Sequence, residues 1–241
     1  MPKNVSATIR GGVLENRPFQ LDHFHVHFGS EETRGSEHTI DGVAYPAEVH
    51  FVHYNTKYRD LESALMEENG LSVIGVFLKL GSVSNPELDE LKFETLSSKG
   101  MKNSVGTLFL NNLLPTRRDY YTYEGSLTTP PCDENVRWIV MRHPIPITPS
   151  QLWALRRVNT GGSDDTSMAD NYRPTQPLNG RKVDYYKESK DNKDGGMKWW
   201  VWLCIGLGGL VIILIPIIII IATKCRTTKR KELKTTRAIT V

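Results

Sequence analysis

Apolar residues and histidines alternate through HFHVHF at 23–28, and a second alternating run, YPAEVHFVHYN, follows at 45–55. A period of two is the signature of a β-strand with one face turned differently from the other. Strand-like runs continue to about residue 140, including GVFLKLG at 75–81 and VRWIV at 136–140. They predict a mainly β, α+β domain with a large, mostly antiparallel sheet. Two short helices are announced by their caps: Asn85 with Pro86 in NPELDELKFETL, and Thr148 with Pro149 in TPSQLWALRRV. In each, a polar side chain can accept from a free N–H of the first turn and proline sits where its missing N–H costs nothing. No internal repeat interrupts this organisation.

The pattern changes abruptly near the C-terminus. Residues 188–198, ESKDNKDGGMK, are polar and lysine-rich and read as a linker after a domain spanning 1–187. Residues 199–223 contain no charged side chain, and that length suffices to cross a hydrocarbon layer of about 30 Å. The run predicts one transmembrane helix, with Trp199, Trp200 and Trp202 at an interface and Pro216 tolerated inside.

Charge then assigns an orientation. The 241 residues carry a net +3, whereas the tail at 224–241 alone carries +6, so the remainder carries −3. The basicity belongs to the tail and excludes a nucleic-acid surface on the domain. Lysine and arginine beyond a membrane span mark the cytoplasmic side. A single-pass type I protein of the plasma membrane is therefore expected, with an extracellular domain, membrane lipid as a partner around 199–223, and a tail lying against anionic headgroups. The basic tail also rules out a glycolipid-anchor signal. On export, Asn4 in N-V-S would be a glycosylation site, and Cys225 a palmitoylation candidate. No apolar leader precedes the domain, so the chain reads as truncated at its N-terminus.

Six of the seven histidines lie between His23 and His53, and their spacing raises the question of a metal. His25 and His27 share one strand face, and a paired second strand carrying His50 would bring a third imidazole to the same point. Three protein ligands that leave a fourth position for water are the set of a catalytic zinc site, whereas structural zinc is closed and usually cysteine-rich. None of the three cysteines is near these histidines. An H-x-H followed by Glu31 also fits a cupin, but that fold needs glycine where Phe19 stands, and the later G-x-x-H-x-x-x-N is absent.

Four motifs follow in order: H-x-H, G-S-E-H-T-x-D-G, A-E-x-H-x-V-H and G-S-L-T-T-P-P. With GVFLKLG and NYRPTQPLNGR at 171–181, they make the chain resemble an α-class carbonic anhydrase from about Asn4 to Lys187. The resemblance implies a twisted central sheet with short peripheral helices, Zn²⁺ as cofactor, and reversible hydration of carbon dioxide to bicarbonate at the cell surface. It implies His25, His27 and His50 as ligands, with Glu48, His38 and His23 behind them. His23 stands in place of the family's glutamine. Thr128 would hold the metal's solvent ligand while donating its own proton to Glu37, and Thr129 would lie beside the substrate. Val52, Val73, Leu127, Val136 and Trp138 would form an apolar wall for carbon dioxide, a role that core residues of any sheet could equally fill.

Two departures accompany the match. Fast members carry a proton-shuttling histidine at a position that falls near Lys3 or Asn4, so turnover should be slower and buffer-dependent. The family's opening motifs are absent, and with them the partner of Cys132, which is left as an unpaired disulfide half. A catalytically weak or inactive ectodomain acting as a binding module is the second expectation.

Overall fold

The computed structural model describes residues 7–96, 101–102, 104, 106–160, 166–188 and 239–240. In chain order its strands are β1 (Thr8–Ile9), β2 (Phe19–Phe28), β3 (Thr39–Ile40), β4 (Ala47–Asn55), β5 (Leu71–Leu80), β6 (Tyr120–Gly125), β7 (Val136–Met141), β8 (Ile145–Ile147), β9 (Asp184–Tyr186) and β10 (Ile239–Thr240). The α-helices are α1 (Leu61–Ala64), α2 (Pro86–Glu90) and α3 (Pro149–Arg156).

Eight strands form one mixed sheet in the order β1-β2-β4-β5-β7-β6-β9, with β8 pairing β5 beyond the end of β7. Strands β2, β4 and β5 form antiparallel ladders, β5 pairs β7 and β8 in parallel, and β6 returns antiparallel to β7. The expected antiparallel character therefore holds over most of the sheet, with parallel pairing at its centre.

Burial is heavy on both faces. One core packs Phe19, Val49, Phe51, Val76, Leu78 and Met141 under α2 and α3, and the other packs Val52, Leu71, Val73, Phe77 and Trp138. The two helices begin at the predicted caps: the Asn85 side chain accepts from Glu87 N at 3.0 Å, and Thr148 and Gln151 close a reciprocal capping box.

A register shift between Leu21 and His23 interrupts the β2–β4 ladder. Such an extra residue turns the strand, so Phe19 and Leu21 stay with the first core while His23, His25 and His27 reach the other face.

Several expectations fall outside the described residues: the linker from Ser189 onward, the span at 199–223, the tail to residue 238, the sequon Asn4 and the Lys3/Asn4 position. Among the described residues, no helix is long and apolar enough to cross a membrane. Beyond the 199–223 span, Ile239 and Thr240 pair antiparallel with Ile40 and Thr39.

Candidate metal centre

The β2–β4 register sets His25 opposite His50 and His27 opposite Glu48. One nitrogen from each of His25, His27 and His50 then falls within 4.8 Å of the others. Their ring centroids are 4.6–5.3 Å apart.

The remaining nitrogens show which lone pairs face inward. His27 Nδ1 donates to the Asn171 carbonyl at 2.8 Å, and its buried Nε2 has no partner. His50 Nε2 donates to Glu48 Oε1 at 2.9 Å, which leaves Nδ1 as the acceptor. A buried imidazole nitrogen without a partner, as His27 Nε2 is, is costly unless something takes its lone pair, and three imidazoles converging without cysteine suit Zn²⁺ with a place left for solvent. Burial, followed by the neighbouring imidazoles of His50, His27 and His23, holds the His25 pKa at about 3. His27 is lowered by the same causes, burial first and then His50. Both rings are thus in the neutral form a metal requires.

Glu48 is wholly buried, and burial acts to raise its pKa. The imidazoles of His38 and His50 and their hydrogen bonds outweigh this and hold the carboxyl well below the ordinary range. Its Oε2 accepts from the backbone of Glu37 and His38, both at 3.0 Å, and its Oε1 accepts from His38 Nδ1 at 2.7 Å. His38 Nε2 in turn accepts from the Tyr123 hydroxyl at 2.7 Å. A chain of hydrogen bonds therefore runs Tyr123–His38–Glu48–His50, and such outer partners fix the tautomer of a ligand. Gly75 makes room for it: a Cβ there would lie 2.7 Å from Glu48 Oε1.

A cavity of about 380 Å³ opens over the three histidines. Val52, Val73, Leu127, Thr128, Thr129 and Trp138 line it, as do Leu61, Leu65 and Leu71, which sequence reasoning had not singled out. Val136 is buried in the same core but is not part of the lining. His23 also faces this cavity. Its Nδ1 is taken by Asp22 at 2.7 Å and its ring stacks on His25 at 5.3 Å, so the support expected for His25 is a stack rather than a hydrogen bond.

Glu37 is buried behind the histidines, with Oε1 accepting from Arg173 N at 2.7 Å. Its Oε2 accepts no hydrogen bond and lies 3.8 Å from His50 Nδ1, and the expected bond from Thr128 is not made among the described residues. Glu37 and Thr128 both line a second, polar cavity of about 580 Å³, together with the free thiol Cys132. Asn171 and Arg173, which tie the distant segment 171–173 to His27 and Glu37, were missed as site residues. The only signal in the sequence was their place in NYRPTQPLNGR.

Comparison with known proteins agrees with this geometry. Residues 1–187 match the family model of the eukaryotic-type carbonic anhydrases. The chain is 47% identical over 180 residues to "Carbonic anhydrase 5A, mitochondrial" of Homo sapiens, which covers 73% of this chain and 58% of that one. It is 45% identical over 183 residues to "Carbonic anhydrase 5B, mitochondrial" of Rattus norvegicus, covering 73% and 57%. To "Carbonic anhydrase 3" of Homo sapiens it is 40% identical over 181 residues, covering 73% and 68%. The chain belongs to the eukaryotic-type carbonic anhydrase family, and it spans under three fifths of the length of the mitochondrial relatives. The plasma-membrane placement expected from the sequence does not stand: the mitochondrial relatives are so named.

Proposed function

We propose that the chain is a zinc-dependent carbonic anhydrase that interconverts carbon dioxide with bicarbonate and a proton. The observation that carries this reading is the convergence of His25, His27 and His50, with the buried His27 Nε2 left unpartnered. Bound there, zinc would lower the pKa of a coordinated water to near 7 and so supply a nucleophile at neutral pH.

The residues of the chain do the positioning. Asn171 and Glu48 hold His27 and His50 with their lone pairs inward. Glu37 Oε2 is the open acceptor for the Thr128 hydroxyl, and a carboxylate, being acceptor-only, obliges that hydroxyl to point its proton away from the nucleophile. Val52, Val73, Leu127 and Trp138 offer an apolar wall suited to an uncharged, linear substrate.

Metal analysis with stopped-flow hydration assays tests the proposal. The expected result is stoichiometric zinc and hydration activity that a sulfonamide suppresses; absence of zinc would end it. Zinc without activity would favour the noncatalytic binding module, a reading supported by the unmade Thr128–Glu37 bond.

A further inference from the structure

We propose that the metal centre has one loosely held ligand, His25, and that Asp22 and His23 make it so, giving a site that exchanges its zinc readily. The proposal deepens the zinc reading and rests on it. His27 and His50 each have one nitrogen fixed from outside, by the Asn171 carbonyl at 2.8 Å and the Glu48 carboxylate at 2.9 Å. No hydrogen bond reaches His25 among the described residues. Ring contacts hold it instead: a stack on His23 at 5.3 Å, and edge contacts with His27 at 5.0 Å and His50 at 5.3 Å. It is also only partly buried, whereas the other two are buried. A stack restrains the plane of an imidazole. It does not oppose a half-turn about χ2, which keeps that plane while exchanging ring nitrogens with ring carbons, and χ2 of histidine is broad and two-fold. Only a directional bond to the outer nitrogen selects one orientation and one tautomer.

The cause lies in the β2–β4 ladder. Leu21 pairs with His53 and His23 with Val52, so Asp22 is an extra residue with no partner across the strands. In a regular strand, neighbours point to opposite faces. The extra residue breaks that alternation and brings the Asp22 carboxylate within 2.7 Å of Nδ1 on its neighbour His23. Tied in this way, the His23 ring lies over His25 rather than bonding to it, and it does not join the nitrogen cluster as a further ligand. The Asp22 and His23 side chains are 36% and 38% exposed, so solvent reaches this corner of the cavity. His25 is therefore the ligand that releases first, on the side from which a metal or chelator enters.

The test uses the full chain. Zinc affinity and release rate are measured against a competing chelator, and the imidazole nitrogen chemical shifts of the metal-free protein are read by NMR. In the unmutated chain, His27 and His50 should each show a single tautomer and His25 a mixture. In His23→Gln the amide nitrogen can still donate to Asp22 while the amide oxygen accepts from His25. That variant should hold His25 in one tautomer, tighten zinc about tenfold or more and slow its release, with an unchanged melting temperature. His23→Ala, which removes the stack and supplies no acceptor, should not tighten zinc. A single His25 tautomer in the unmutated chain, no tightening by His23→Gln, or equal tightening by His23→Ala would each overturn the proposal while leaving the zinc reading intact. Absence of zinc from all three proteins would sink the zinc reading, and this proposal with it.

Discussion

Strand β4 serves two masters on its two faces. Ala47, Val49 and Phe51 pack into an apolar core, whereas Glu48, His50 and Val52, one residue out of phase, build the candidate metal centre and its wall. Both faces are equally buried and share one hydrogen-bonded ladder, yet their demands differ. The apolar face is held by non-directional burial and close packing. The other is held by directional bonds that must all be made, because an unpaired polar group inside a protein costs more than a pair contributes. The lesson is that stability and metal binding in this chain should be separable by single substitutions along one strand.

The largest effect should come from the ligands themselves. His50→Ala should abolish zinc retention on dialysis, a far greater loss than the 10–100-fold typical of an outer partner, while the apoprotein keeps its sheet by circular dichroism. Retained stoichiometric zinc would break the contrast between the faces. Next, Phe51→Ala on the apolar face should cost about 3–5 kcal/mol of stability in denaturant titration, with zinc content per folded molecule unchanged.

Glu48→Gln should fall between the two. It removes the anion that fixes His50, so zinc affinity measured against a competing chelator should drop roughly 10–100-fold, with a smaller loss of stability.

The smallest effect is graded with pH. In the metal-free chain, burial holds His53 at about 4, and burial with its imidazole neighbours holds His25 at about 3, against 6.5 when unfolded. Below about 6.5 the unfolded state takes up protons that the folded state refuses. Stability is therefore full above that pH and declines as pH falls toward about 4, by at most ~1.4 kcal/mol per pH unit for each group. Urea midpoints across this range check it, and His53→Gln should reduce the slope if the variant folds.

Much of this was legible in the chain. Alternation around His25 and around His50 placed the candidate ligands on strand faces, and local caps at Asn85 and Thr148 marked both predicted helices, because each signal is carried by residues close together in sequence. The apolar wall was only half legible: Val52 and Trp138 line the cavity while Val136 packs in the core behind it, and all three look alike as hydrophobic strand residues. Asn171 was invisible as a partner of His27 because the two are separated by 144 positions and meet through a main-chain oxygen, which no side-chain pattern encodes. Hydropathy at 199–223 and the tail charge led to a surface location that did not hold against the named mitochondrial relatives, since an apolar run reports only a tendency of its own segment.

By itself, the sequence determined the residue types of the histidine cluster, their strand spacing and the family, since imidazole chemistry and a two-residue period are local properties. Tertiary structure alone decided the tautomers of His27 and His50 and the shift at Leu21/His23 that turns three histidines to one face. Each of these depends on which distant backbone atom stands opposite which ring or strand, and register is settled only when the sheet assembles.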